Sequence, residues 1–301
     1  MSKAVFTTKV DPTYDDLPEI RYHFPRTYLR QVEAAIGDWI VYYEPRRTSG
    51  DLNSRGGRQA YFATARLDSV QPDPATPNRF YGNVSEFLEF DRPVPFRSGE
   101  LYYESGLQRG DGGTSKGAFG RAVRPITDAE FDLILRTGFE ELIAPAAPVV
   151  EATRSRLEMD DEPAEYQHPL VRRMTSRPFR EAAFSGVVKS AYNNACAVTG
   201  IRIINGGGRS EVQAAHIRPV ADAGPDSVRN GLALCGTVHW MFDRGLLSLG
   251  DDYTVLMTKS GIPDAIRRMI NFDGKLQLPL RPEFRPHPQF LKYHREKVFK
   301  G

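Results

Sequence analysis

The chain has 301 residues, 40% of them hydrophobic and 26% charged, with a net charge of +2. This is enough for two domains that each bury a core, and it excludes a disordered or fibrous chain. Two cysteines, Cys196 and Cys235, exclude a disulfide framework, so reduced thiols are the expectation.

The N-terminus, MSKAVFTTKV, has no apolar run of the export-signal kind, and runs such as DWIVYY and GLALC are interrupted well short of a bilayer span. A cytoplasmic protein without a membrane contact is expected. From residue 37 to 143 short β-rich runs alternate with turn clusters: GDWIVYYEP, GRQAYFATARLDSVQPD, NRFYGNVSEFLEF and GAFGRAVRPI. That pattern predicts a small barrel, closed by a helix over ITDAEFDLILRTGFEELI. Trp39 and Tyr43 share one face of the DWIVYYE strand, while Asp38, Tyr42 and Glu44 take the other, because side chains alternate with a period of two.

Residues 144–168 replace periodic hydrophobics with Ala, Pro and acids, and are read as a linker between an N-terminal domain (1–143) and a C-terminal one (169–301). Charge divides there as well. Residues 169–301 hold 20 Lys+Arg against 11 Asp+Glu, a balance of +9, which leaves −7 for residues 1–168. The C-terminal domain is therefore the expected polyanion contact.

After the linker, SRPFREAAFSGVVKSAYNNA has helical spacing, with Ser176 as a candidate N-cap before Pro178. CAVTGIRIINGGGRSEVQAAHI then reads as two strands joined by the turn NGGGRS, and NGLALC as a third. Thr237 is placed to cap a short helix, TVHWMFDR, that Gly245 stops. LLSLGDDYTVLMTK reads as a hairpin around GDD. His216 ends one strand, Asn230 opens the next and His239 follows on the helix, with spacings of 14 and 9 residues.

In order, spacing and flanking pattern, CAVTG (196–200), QAAHI (213–217), NGLALC (230–235) and HWMFDRGLLSL (239–249) resemble the HNH, or ββα-metal, endonucleases. The resemblance implies that His216 is the general base that deprotonates water, that Asn230 orients the site, and that His239 is a ligand to one divalent ion, Mg2+ or Mn2+. The chemistry suits those residue types. A histidine, ordinarily titrating near ~6.5, can generate hydroxide at neutral pH, and a metal offsets charge on the phosphate and the leaving oxygen. Many such nucleases carry an acidic ligand just before the base, where this chain has Ala215. Asp243, at i+4 from His239, is the candidate replacement. Many relatives also carry two Cys-x-x-Cys pairs, but here Thr199 and Val238 stand at the second positions. No structural zinc is expected, and both cysteines are read as small hydrophobes. The C-terminal HPQFLKYHREKVFK resembles the end of such domains, with Lys292, Arg295, Lys297 and Lys300 as candidate phosphate contacts.

YHFPRTYLRQVEAAIGDWIVYYEPRR, GRQAYFATARLDSV, FYGNVSEFLEF and GAFGRAVRPI, over roughly residues 18–140, resemble the EVE branch of the PUA-like β-barrels, relatives of the SRA modified-cytosine readers. This implies an aromatic pocket for a flipped base, with Tyr22, Phe24, Trp39, Tyr43, Tyr81 and Phe119 as candidate walls. Arg46, Arg47, Arg55 and Arg58 bracket the loop RRTSGDLNSRGGR and are candidate DNA-backbone contacts. Together the resemblances imply an α+β protein: an N-terminal EVE/PUA-like β-barrel with flanking helices and a C-terminal ββα-metal HNH domain. The implied function is that of a modification-dependent restriction endonuclease acting on double-stranded DNA with 5-methyl-, 5-hydroxymethyl- or glucosylated cytosine, most simply as a homodimer. The alternative is a modified-base or RNA reader whose nuclease domain is inactive or differently targeted.

Overall fold

In the computed structural model the described residues are 2–11, 14–51, 53–143 and 169–301; the 144–168 linker lies outside them. The N-terminal part runs β1 (Ala4–Thr7), β2 (Arg21–Pro25), α1 (Leu29–Glu33), β3 (Trp39–Glu44), β4 (Ala60–Pro72), β5 (Arg79–Pro95), a small ribbon of β6 (Arg97–Ser98) and β7 (Leu101–Tyr102), α2 (Lys116–Phe119), β8 (Val123–Pro125), α3 (Asp128–Gly138) and α4 (Glu140–Ile143). Six strands form one sheet in the order β2-β5-β4-β3-β1-β8, antiparallel except for the β1–β3 pair.

The expected barrel is a curled half-barrel. Its edge strands, β2 and β8, do not pair with each other. The curl comes from β4 and β5, whose register shifts between Tyr61/Ala63, Thr64/Arg66 and Leu67/Ser69. The first shift leaves three extra residues on β5, the second one more on β5 and the third one on β4, and such irregularities bend the strands, which turns a long sheet without closing it.

Every residue of β3 is buried. Trp39, Val41 and Tyr43 enter one core with Phe131, Ile134 and Leu135 of α3, while Ile40 and Tyr42 enter another with Phe24 and Val32 of α1. Both faces of the sheet are covered, and this is why the strand reads as an unbroken apolar run. α3 starts on a capping box. Thr127 Oγ1 accepts from the Glu130 backbone N–H at 3.2 Å, and Glu130 Oε2 accepts from the Thr127 N–H at 2.8 Å, so two donors of the first turn are satisfied.

The C-terminal part runs α5 (Pro169–Met174), α6 (Arg177–Ala191), β9 (Gln213–His216), β10 (Gly231–Leu234), α7 (Gly236–Asp243), β11 (Leu247–Leu249), β12 (Val255–Met257), α8 (Asp264–Arg267) and α9 (Pro288–Lys297). α6 joins the two halves. Leu170, Val171 and Met174 of α5, with Phe179 and Ala183 of α6, pack in the core of the N-terminal sheet, whereas Phe184 and Val188 pack against β9 and β10. Packing thus places the start of the C-terminal segment in the N-terminal core. Ser176 holds the N-cap position, but its hydroxyl donates to the Arg173 carbonyl at 2.7 Å instead of capping.

The expected hairpin across NGGGRS reduces to a single bridge, Ile204–Ser210. Residues 196–200 fold into a tight turn in which the Gly200 N–H donates to the Cys196 carbonyl and Gly200 adopts φ +69°, a conformation that favours glycine. β9 pairs instead with β10, His216 opposite Gly231. Gly231 is required there, because a Cβ would meet Val188 Cγ2 of α6 at 2.4 Å. α7 begins at Gly236, one residue before the expected cap. Thr237 caps nothing, and the Gly236 N–H donates to Glu211 Oε1 at 2.9 Å. Gly245 does end the turn after α7, at φ +73°. β11 and β12 form the expected hairpin. Among the described residues no helix is long and apolar enough to cross a membrane.

Candidate active site

His216 closes β9 with its ring stacked on Phe184 of α6, centroids 3.8 Å apart and planes within 7°. Its Nε2 lies 2.9 Å from Asp226 Oδ1, and the other Asp226 oxygen is 2.8 Å from Arg180 Nε. Burial pushes the Asp226 carboxyl up, but the hydrogen bond with His216 and the charge of Arg180 outweigh it and hold the group below the usual carboxylate range.

Asn230 is fully buried, and its amide is saturated. Oδ1 accepts from the Arg218 backbone N–H at 2.9 Å, and Nδ2 donates to the Arg218 and Pro225 carbonyls, each at 2.9 Å. These bonds pin both ends of the loop that carries Asp226 between β9 and β10. Asn230 acts on the shape of the site and touches no other candidate side chain through these bonds.

His239 lies on α7. Its Nδ1 is 2.7 Å from Gln213 Oε1, and its Nε2 is 3.4 Å from Asp243 Oδ2. A ring nitrogen engaged by an amide oxygen carries the N–H, so Nε2 is the nitrogen turned toward the carboxylate. Ala215 is fully buried opposite Leu232, on the strand face it shares with Gln213. The carboxylate beside His239 is that of Asp243, on α7. Among the described residues no third His, Cys, Asp or Glu joins His239 and Asp243. One imidazole nitrogen and one carboxylate suit a hard ion that keeps water in its shell and takes phosphate oxygens.

His216, Asp226, His239 and Asp243 open onto one cleft of about 850 Å3, with Arg177 and Arg180 on its wall. Residues 196–250 match the family model described as HNH endonuclease. They form an HNH endonuclease domain.

This HNH domain carries both cysteines side by side. The Cys235 thiol donates to Cys196, which holds the Cys196 thiol down and pushes that of Cys235 up. No curated protein matches the chain. Three solved structures show likeness of low extent. The modification-dependent TagI restriction endonuclease is 18% identical over 98% of this chain and 81% of its own, at a TM-score of 0.31. Rpa0253 from Rhodopseudomonas palustris, solved by NMR, is 12% identical over 48% of this chain and 97% of its own, at 0.33. The type IV phosphorothioation-dependent restriction endonuclease ScoMcrA is 14% identical over 79% of this chain and 48% of its own, at 0.19.

Of the C-terminal basic residues, Lys292 is exposed beside Glu296, whereas Arg295 donates to the Leu249 carbonyl at 2.9 Å and to Asp251 at 2.6 Å. Lys297 and Lys300 are exposed.

The six N-terminal aromatics do not converge. Tyr22 and Phe24 are buried in the core beside α1, and Trp39 and Tyr43 in the core on the opposite face, where Phe119 meets Tyr43 edge-on at 5.5 Å. Tyr81 stacks on His23 at 4.5 Å, away from both. A cavity of about 340 Å3 opens elsewhere, between the two halves: Phe62 and Phe87 line it with Asp16, Glu19, Glu44, Glu89 and Arg58 from the half-barrel, and Arg229, Tyr253, Glu283, Arg285 and His287 line it from the C-terminal part. Burial pushes the carboxyls of Asp16 and Glu89 up to about 7. Arg58 belongs to this wall: its Nε donates to Glu44 at 2.6 Å and its guanidinium lies 4.3 Å from the Phe62 ring. Arg46, Arg47 and Arg55 are exposed on the loop between β3 and β4.

Sequence reasoning missed Gln213 beside His239, and Asp226 and Arg180 in the cleft. Gln213 had a usable signal: it lies three residues before His216, where the ββα fold brings β9 under α7. Asp226 and Arg180 meet across 46 residues and had none.

Proposed function

We propose that the protein is a metal-dependent, modification-dependent DNA endonuclease. The observation that carries this reading is the convergence of His216, His239 and Asp243 on one cleft inside the segment that matches the HNH family. His216 takes a proton from water, and Asn230 holds the loop that frames it. His239 Nε2 and Asp243 would hold one Mg2+ or Mn2+ ion, which when bound offsets negative charge on the phosphate. Arg177, exposed at the rim, meets the incoming DNA backbone. The products are a 5′ phosphate and a 3′ hydroxyl.

The half-barrel is the reader, an EVE/PUA-like domain in this proposal. The cavity between Phe62 and Phe87 supports the uptake of one flipped cytosine. Aromatic edges favour a planar base, and buried carboxylates near half-protonation at neutral pH can both accept from the exocyclic amine and donate to a ring nitrogen or carbonyl. Each chain carries one HNH domain, so cutting both strands falls to two copies.

Matched duplexes with cytosine, 5-methylcytosine, 5-hydroxymethylcytosine or its glucosylated form, incubated with Mg2+ or Mn2+, test this. Cleavage confined to a modified duplex and lost in His216→Ala supports both halves of the proposal. Equal cutting of all duplexes removes the reader, and binding without cutting removes the nuclease.

A further inference from the structure

We propose that Asp226 is a positioning residue for His216, and that its own place is set from the N-terminal half-barrel. The inference rests on the reading of His216 as general base. Stacking on Phe184 at 3.8 Å fixes the plane of the imidazole but leaves open which edge faces the cleft. The contact from Nε2 to Asp226 Oδ1, 2.9 Å, fixes the edge. With Nε2–H donated to the carboxylate, Nδ1 is the nitrogen left to receive a proton. The proton moves from water to Nδ1, the oxygen attacks phosphorus, the bond from phosphorus to the 3′ oxygen breaks, and solvent protonates the leaving oxygen. The imidazolium formed stays against a carboxylate that is itself ionised, as in other base-and-orienter pairs.

Asp226 sits in a loop between β9 and β10 that on its own would leave the carboxylate free to swing. It is tied instead to the other half of the molecule. Arg180 reaches its second oxygen with Nε at 2.8 Å, and the same guanidinium donates to Glu86 Oε2 at 2.7 Å and to the Glu86 and Phe87 carbonyls at 3.2 and 3.1 Å. Leu88 of β5 forms a parallel bridge with Asp226. Glu86 adopts φ +53° where β5 slips against β4, a local distortion that aims strand residues out of the sheet. Just beyond, the Val228 N–H donates to Glu89 and the Ser227 hydroxyl donates to Glu19, and both acids line the cavity that the half-barrel shares with the C-terminal part. The segment that orients the base is thus docked on the strand that borders the proposed reader cavity.

The test compares wild type, Asp226→Ala, Asp226→Asn and Arg180→Gln, each also in a His216→Ala background, on the modified duplex that the wild type cuts fastest, with Mn2+. Asp226→Ala is expected to lower kcat by about 100-fold with KM within about 3-fold, and Arg180→Gln by less. In the His216→Ala background neither should cause a further loss. Long-range 15N–1H spectra of the imidazoles give a readout that needs no turnover. The His216 signal, assigned by its loss in His216→Ala, should show the Nε2–H tautomer in the wild type and a mixture in Asp226→Ala. An unchanged tautomer, an unchanged kcat, or an equal loss in the His216→Ala background overturns the proposal, the last by showing a merely structural role. Should Asp226→Ala fail to fold by thermal melting, the isosteric Asp226→Asn carries the same comparison. Cleavage that survives His216→Ala would strike instead at the reading of His216 as base.

Discussion

Two histidines of the C-terminal domain stand in nearly the same ring environment. His216 stacks on Phe184 and His294 on Phe242, both with centroids 3.8 Å apart and planes within 10°. Around the ring they differ. His294 is 2% exposed, with Nδ1 2.9 Å from Ser248 Oγ and Nε2 3.2 Å from the Phe242 carbonyl, and burial pushes its pKa down to about 4. Both rings border the same cleft, but His216 keeps 22% of its side chain exposed and meets a carboxylate. Aromatic stacking therefore marks neither function nor packing. Access to solvent and a charged partner separate the histidine that can exchange protons from the one that fills a core.

The largest expected effect tests that separation directly. His216→Ala should lower the rate of DNA cleavage by about 10²- to 10⁴-fold, the usual contribution of a general base, with little change in melting temperature. His294→Ala should do the reverse, costing about 2–4 kcal/mol through a buried cavity and an unpartnered Ser248 while the folded fraction still cuts. Cleavage rates and melting curves on both variants check the pair. Equal activity losses would erase the distinction.

The next effect lies in pH. The folded-state pKa of His294 is below the ordinary 6.5, so the unfolded chain binds the extra proton. Its contribution is present above pH 6.5 and is lost as pH falls toward 4, by about 3 kcal/mol in all. Glu89, raised from 4.5 to about 7 by burial, has the opposite sign: its contribution is present below pH 4.5 and is lost as pH rises through 7, again by about 3 kcal/mol. Glu89→Gln, which keeps an acceptor for the Val228 N–H, should lessen the alkaline loss, to which Asp16 also contributes, and His294→Leu should lessen the acid loss, to which His287 also contributes. Urea melts from pH 4 to 9 would show it.

How much of this was legible in the sequence follows the range of the interactions. The strand, strand, helix order around His216, Asn230 and His239 was readable because the chain itself places them, and so was Asp243, one turn from His239. The capping glycine, Gly245, was readable because a positive φ leaves few alternatives. Aromatic side chains of the half-barrel misled. Tyr22 and Tyr43 have the composition of a stacking pocket, yet a sheet buried on both faces consumes its aromatics as core, and the cavity forms where Phe62 and Phe87 meet acids from distant segments. The barrel itself read as closed because periodicity reports strands and not whether the edges meet. Asp226 and Arg180 were invisible for the same reason.

A smaller effect concerns His239. Gln213 Oε1 at 2.7 Å holds its ring with Nε2 beside Asp243. Removal of such a supporting partner typically weakens metal binding by about 10- to 100-fold. Gln213→Ala should raise the Mn2+ concentration needed for half-maximal cleavage by that factor and leave the rate at saturating Mn2+ close to wild type, because the ligands themselves remain. Calorimetric titration with Mn2+ gives the same answer without turnover. An unchanged affinity would mean that packing of α7 alone orients His239.

The smallest effect separates two basic residues of α9 that look alike in sequence. Lys292 is exposed, and its ion pair with Glu296, 3.8 Å apart on the helix surface, adds little to stability. Lys292→Ala should change stability by less than about 0.5 kcal/mol, and, if this lysine meets a phosphate, it should lower the slope of log affinity against log salt by about one. Arg295 has its guanidinium committed to the Leu249 carbonyl and Asp251, fixing α9 to the turn after β11. Arg295→Ala should cost about 1 kcal/mol and leave the salt slope where it was. DNA-binding isotherms at several salt concentrations distinguish the two, since the Arg295 guanidinium is held by a carbonyl and a carboxylate at 21% exposure, whereas the Lys292 ammonium, 66% exposed and only loosely paired, can turn from Glu296 to a phosphate.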